Sequence, residues 1–77
     1  RVQRRRVSLT GVLQKVLLRR RPSCRARGIE VVRHYHQQLP RVLADPLLLH
    51  QVFLNMMINA EDAAAAAPGG GRIEVST

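Results

Sequence analysis

Gln51, Asn55, Asn59 and Asp62 stand four, four and three residues apart, the spacing that stacks side chains in one row along an α-helix. Three carboxamides and a carboxylate offer hydrogen-bond donors and acceptors in a line. On a helix as apolar as this one, such a row is costly to bury unless each group finds a partner. It therefore caps neighbouring backbone, sits at a wet edge, or lines a ligand cavity. Other candidate groups carry less. His34-x-His36 has metal-ligand spacing but no evident third ligand. Gly69-Gly70-Gly71 lacks the Lys-Ser/Thr that completes a phosphate-binding P-loop. Cys24 is the single cysteine, which excludes an internal disulfide and is compatible with a reducing cytosol; it reads as a small residue in a helix-end loop.

The element that must position the row starts at Asp45-Pro46. Asp45 can cap the first-turn amides, and proline is tolerated at the first helical position because its missing N–H has no partner there. Leu49, Val52, Phe53, Met56, Met57, Ala60, Ala63 and Ala64 recur at three- and four-residue steps and predict one apolar face. Leu47, Leu54 and Ile58 make a second stripe, so little of the helix suits water. Ala63 to Ala67 continues it to Pro68, where three glycines follow.

Upstream, Val7 to Leu9 predicts a short edge strand, with Ser8 or Thr10 capping a helix whose apolar face is Leu9, Val12, Leu13, Val16 and Leu17. Gln14, Lys15, Arg19 and Arg20 point away from that face. Pro22 is expected to end or loosen the helix, leaving Ser23 to Arg27 as a loop. Ile29 to His36 alternates as a strand with Ile29, Val31 and Tyr35 on one face. Arg41 to Ala44 is a short strand, and Arg72 to Thr77 another after the glycines. The order strand, helix, strand, short strand, long helix, strand predicts an α/β (α+β) two-layer sandwich, helices on one face of a mixed sheet.

Seventy-seven residues allow one small domain, which buries only about 60% of its unfolded surface. A start at Arg1 and an end inside a strand suggest a piece of something longer. No apolar run reaches the ~20 residues of a membrane span, and no signal peptide is evident. Charge is uneven. Residues 1 to 27 carry ten basic side chains and no acidic one; residues 28 to 77 carry three basic and five acidic, for a net charge of +8. Arginine clusters attract phosphates, anionic lipid or nucleic acid, but Phe53 and Tyr35 are the only aromatics and make no stacking platform for bases. No nucleic-acid partner is expected; the arginines read as a solvated basic face.

Gln51-Val52-Phe53-Leu54-Asn55-Met56-Met57-Ile58-Asn59-Ala60-Glu61-Asp62-Ala63 resembles the N box of sensor histidine kinases, in the ATP-binding (HATPase) domain of the GHKL, or Bergerat, superfamily. Val7-Ser8-Leu9, Arg27-Gly28-Ile29-Glu30-Val31, Leu39-Pro40, Ala44-Asp45 and Gly70 to Thr77 follow the same family's order of elements, so that the resemblance covers residues 7 to 77. It implies a partial Bergerat fold. Residues 1 to 6 would end an upstream linker or dimerisation element. Residues 7 to 77 would be the N-terminal half of the domain, stopping before the adenine-binding Asp-x-Gly-x-Gly motif and the lid.

The resemblance further implies ATP and Mg²⁺ as cofactors and transfer of a phosphoryl group to a histidine, then to an aspartate of a response regulator. Asn59 matches the family's Mg²⁺ ligand; Mg²⁺ takes hard oxygen donors, and an amide supplies one without added negative charge. Asn55 matches a position that contacts phosphate or the metal's water shell. Hydrolytic relatives carry a glutamate there, and an amide cannot take a proton from water, which favours a kinase over an ATPase. Asp62 stands where many of these kinases have Lys or Arg and is similar to the nitrogen-regulatory type; a carboxylate there repels phosphate unless neutralised. Glu61 is expected to be solvated. None of His34, His36 or His50 fits a phosphoacceptor, so the acceptor would lie upstream, on a helical domain through which the parent forms a homodimer. The domain would be cytoplasmic, the parent membrane-anchored or not. Alone, the 77-residue piece is expected to bind ATP poorly, catalyse nothing and expose an aggregation-prone sheet edge. The rival readings are another GHKL ATPase or anti-sigma kinase, an Arg-rich nucleic-acid-binding module, and a helical interaction domain without ligand.

Overall fold

The computed structural model describes residues 3–68 and 71–77. Its elements are β1 (Arg5–Val7), α1 (Leu9–Ala26), β2 (Ile29–His34), β3 (Val42–Ala44), α2 (Pro46–Ala65) and β4 (Gly71–Ser76). The order is the one the sequence predicts. β1 lies antiparallel to β3, Arg5 opposite Ala44 and Val7 opposite Val42. β2 and β4 run parallel, Ile29 opposite Gly71 and His34 opposite Ser76. Where one mixed sheet was expected, the described strands form two separate pairs. A parallel pair needs a crossover connection, and β3 with α2 supplies it here.

Both helices pack on the same face of the β2–β4 pair. Ile29 and Ile73 are buried beneath them, with Val31 and Val75 packed at the edge of the same cluster. The alternate residues Glu30, Arg72 and Glu74 are exposed on the other face, where Arg72 pairs with both carboxylates. The core is completed by Val16, Leu17 and Cys24 from α1 and Met57 and Ala64 from α2. These are two layers, as period-two and period-3.6 patterning requires.

Several local expectations are corrected. β1 begins at Arg5, and Ser8 is already the cap of α1: its Oγ accepts from the Gly11 N–H at 3.1 Å. β2 ends at His34, and β3 begins at Val42. α1 runs through Pro22 to Ala26. The ring removes one backbone donor but leaves the following turn in place, because Cys24 is buried to 3% exposure and anchors that turn in the core. Cys24 is thus a core residue, its thiol pushed up by burial, and not part of a loop. The true stop is Gly28, with φ at +66°, a left-handed conformation that glycine adopts freely. Finally, α2 stops at Ala65, with Ala66 as its cap; the turn glycines Gly69 and Gly70 lie outside the described residues.

The rotation of α2 also differs from the expected one. Met57, Glu61 and Ala64 are its buried positions, flanked by Phe53, Leu54 and Ala60. Val52 and Met56, assigned by periodicity to the core, are 51% and 62% exposed, and Leu47 and Ala63 are exposed as well. With two apolar stripes on one helix, periodicity alone does not decide which is covered. The partners decide it, and α1 and β4 cover the seam that contains Met57 and Ala64.

Candidate functional site

The start of α2 is fixed by Asp45. Its Oδ1 accepts from the backbone N–H of Leu47 at 2.9 Å and of Leu48 at 3.4 Å, while Oδ2 accepts from the Gln3 N–H at 2.9 Å. One carboxylate therefore caps the helix and ties it to the chain entering β1. The Gln3 amide first, then those of Leu47 and Leu48, hold the Asp45 carboxyl below the usual carboxylate range.

From that start, Gln51, Asn55, Asn59 and Asp62 all fall on the exposed side of α2. They form the row the spacing predicts, but in contact with solvent and so without any burial cost. The Gln51 Nε2 donates to Asn55 Oδ1 at 3.2 Å. Asp62 Oδ1 accepts from Arg27 Nη1 at 3.1 Å, so the carboxylate that would repel a phosphate already has a guanidinium beside it. Asn59 makes no side-chain hydrogen bond among the described residues, and its amide is free to take a ligand. The exposed Val52 and Met56 flank the row. A polar line with an apolar border suits a ligand that has both characters.

The donor set bears on which cation can bind. Among the described residues, no three His, Cys, Asp or Glu gather into a metal site. Neutral amide oxygens suit a hard cation that keeps most of its waters and ligand oxygens, as Mg²⁺ does; they do not make a closed all-protein cage. The exposed Asn59 amide has donor chemistry of that kind, whereas the Asn55 oxygen already accepts from Gln51.

Behind the row lies a buried carboxylate. Glu61, expected to be solvated, is 0% exposed. Arg20 donates to it from Nε and Nη2, both at 2.8 Å, and the Ser23 hydroxyl donates at 3.0 Å. Arg20, expected to point away from the α1 face, turns toward α2 and binds Ser23 as well, at 3.2 Å. Arg27 approaches Glu61 to 4.0 Å and so stands between Glu61 and Asp62. The Arg20 hydrogen bonds hold the Glu61 carboxyl below its ordinary range against the opposing effect of burial, and Glu61 raises Arg20 in turn. The signal for this lay on the helical wheel: Glu61 follows Met57 by four residues and precedes Ala64 by three, within the seam itself.

No protein-family model matches the chain, and no curated protein matches it either. Solved structures do. A histidine kinase, ThkA, in complex with the response regulator protein TrrA aligns with a TM-score of 0.85 at 21% identity, over 97% of this chain and 22% of that one. The catalytic domain of ThkA aligns at 0.82 and 21% identity, over 96% of this chain and 48% of that domain. The cytoplasmic segment of histidine kinase QseC aligns at 0.79 and 21% identity, over 99% and 47%. This chain therefore shares the two-layer α/β fold of these solved histidine-kinase structures, and it spans between 22% and 48% of the length of those chains.

Proposed function

We propose that this chain is part of the ATP-binding domain of a sensor histidine kinase of the nitrogen-regulatory type. Residues 7 to 77 form the N-terminal half of that domain, and residues 1 to 6 end an upstream linker or dimerisation element. Two features support the division. The aligned part is 48% of a solved catalytic domain. An open apolar groove of about 460 Å³, lined by Leu13, Phe53, Met56 and Val75 among others, adjoins β4, which has one strand neighbour among the described residues. The remaining strands would fill it.

The observation that carries the functional reading is the exposed pair Asn55 and Asn59, one turn apart on α2 and adjoining the Arg27–Asp62 ion pair. In this reading Asn59 offers its amide oxygen to Mg²⁺ and Asn55 holds a phosphate or a metal-bound water. When bound there, Mg²⁺ would supply positive charge to offset the negative charge of the phosphates during phosphoryl transfer. Asn55 cannot deprotonate water, so the site favours transfer to a protein nucleophile over hydrolysis. Arg27 compensates the Asp62 carboxylate, which otherwise opposes an incoming phosphate. The nucleophile is a histidine on an upstream helical domain of a homodimer, and the phosphoryl group passes on to a response regulator in the cytoplasm.

The test is Asn59→Ala in the full-length protein. Magnesium-dependent ATP affinity and phosphohistidine formation should both fall at least about tenfold, the loss of one charge-assisted contact. Unchanged affinity and labelling would overturn the assignment.

A further inference from the structure

A second concave surface lies on the flank of α1 away from α2. Gln14, Leu18, Arg21 and Arg25 follow one another at four-, three- and four-residue steps on α1, a single stripe. Facing them across a groove of about 490 Å³ is β2, with Ile29, Val31 and Arg33. No α2 residue lines it, so it is separate from the Asn55–Asn59 row.

Three arginines line this groove, and no acidic residue does. Among the described residues Arg21, Arg25 and Arg33 enter no ion pair, whereas Arg20, Arg27 and Arg72 all do. All three are exposed. Like charges gathered around one cleft raise its potential and draw an anion into it. Leu18 stands in the same stripe at 67% exposure, an apolar side chain among the cations. The edge of β2 away from β4 has no strand partner among the described residues, leaving backbone donors and acceptors for an extended chain.

We propose that this groove binds an extended acidic peptide segment of a partner protein, with Asp or Glu side chains on Arg21, Arg25 and Arg33 and an apolar side chain over Leu18. Charge, the exposed leucine and the β2 edge without a strand partner among the described residues each call for a different part of that ligand. Guanidinium pairs carboxylates in bidentate geometry, and an alternating acidic and apolar strand presents both. A bilayer is flat and does not enter a cleft between a helix and a strand. Nucleic acid lacks its stacking surface, because Phe53 and Tyr35 are both packed against the core and no aromatic lines the groove.

The probe is a short synthetic peptide in which glutamate and leucine alternate, titrated into the full-length protein. Binding should weaken as salt is raised from about 50 to about 500 mM. The double variant Arg25→Glu/Arg33→Glu should lose at least about tenfold in affinity. Arg4→Glu/Arg6→Glu makes the same change in net charge elsewhere and should stay within about twofold. Because all four are exposed, circular dichroism should be unchanged in both variants. Equal weakening by the two double variants would overturn the proposal, since it would show attraction to net charge alone. So would tighter binding to phosphatidylserine vesicles or to single-stranded DNA than to the peptide. Magnesium-dependent ATP affinity, measured in parallel, should not change in Arg25→Glu/Arg33→Glu; the nucleotide reading and the peptide reading thus fail independently.

Discussion

Arg20 meets Glu61 through two parallel contacts, Nε to Oε2 and Nη2 to Oε1, both at 2.8 Å, across 41 residues of sequence. The pair joins α1 to α2 one turn below Ala64 and two residues beyond Asn59. Its acid is fully buried while its base retains 25% exposure. Removing one partner of such a pair leaves an uncompensated buried charge, worth ~3–5 kcal/mol in enclosed pairs. Arg20→Ala should therefore destabilise the protein by about 3 kcal/mol, the low end because Arg20 is reached by water. The double variant Arg20→Leu/Glu61→Met removes both charges and should recover most of that loss. Urea unfolding of the two variants decides it; a double variant less stable than Arg20→Ala would show that the ion pair itself stabilises the fold.

The same contacts set the acid sensitivity. Glu61 and Asp45 both have folded-state values below their unfolded ones, Glu61 chiefly through Arg20 and Asp45 chiefly through the Gln3 amide. A carboxyl of this kind contributes stability that is present above its unfolded pKa, about 4, and is lost as pH falls through the folded value. Unfolding free energy should thus be flat from about pH 7 to 5 and decline below about pH 4. Asp45→Asn retains an acceptor for the caps but no longer titrates, and its decline should be shallower. An acid limb that is the same in Asp45→Asn would remove Asp45 from the account.

Local chemistry in the sequence indicated the element order, the Asp45 cap, Ser8 as one of two candidate caps and the row on α2, because each is encoded within a few neighbouring residues. The Arg20–Glu61–Ser23 contact was not legible, since it joins residues about forty positions apart whose polar character suggests solvent. The covered side of α2 was hidden for a related reason. Leu47, Val52 and Met56 are as apolar as Phe53 and Met57, and only the docking of α1 and β4 distinguishes them. Arg27 was missed as the partner of Asp62 because it sits at the far end of α1, beyond a proline that suggested an earlier stop.

Pro22 offers a separate test of that helix. It lies in the interior of α1 with its side chain exposed, and it denies the Leu18 carbonyl its usual donor. Interior proline costs ~3 kcal/mol in a helix, of which restriction of the unfolded chain returns up to about 1. Pro22→Ala should raise stability by about 1–2 kcal/mol, read as a higher urea midpoint with unchanged slope. A fall would mean that the backbone geometry Pro22 imposes is needed to bring Ser23 and Arg20 onto Glu61.

Gly71 is where β4 passes beneath the last turns of α2. A Cβ at this position would overlap the backbone carbonyl of Ala64 as well as its methyl group. The obstruction is backbone within the helix, not the tip of a flexible side chain, so it cannot turn aside. Gly71→Ala must therefore push β4 away from α2 or shift its pairing with Ile29. Overpacking of this kind costs about 1–3 kcal/mol, and in a domain of this size 1 kcal/mol lowers the melting temperature by roughly 4–8 °C. A loss of roughly 10 °C is expected for Gly71→Ala. The exposed Gly28 gives a contrast: a Cβ there meets nothing within 4 Å, and only its left-handed backbone resists substitution, at about 1 kcal/mol. Gly71→Ala should thus be the more damaging of the two in thermal unfolding, and the reverse order would show that β4 is not held against Ala64 in solution.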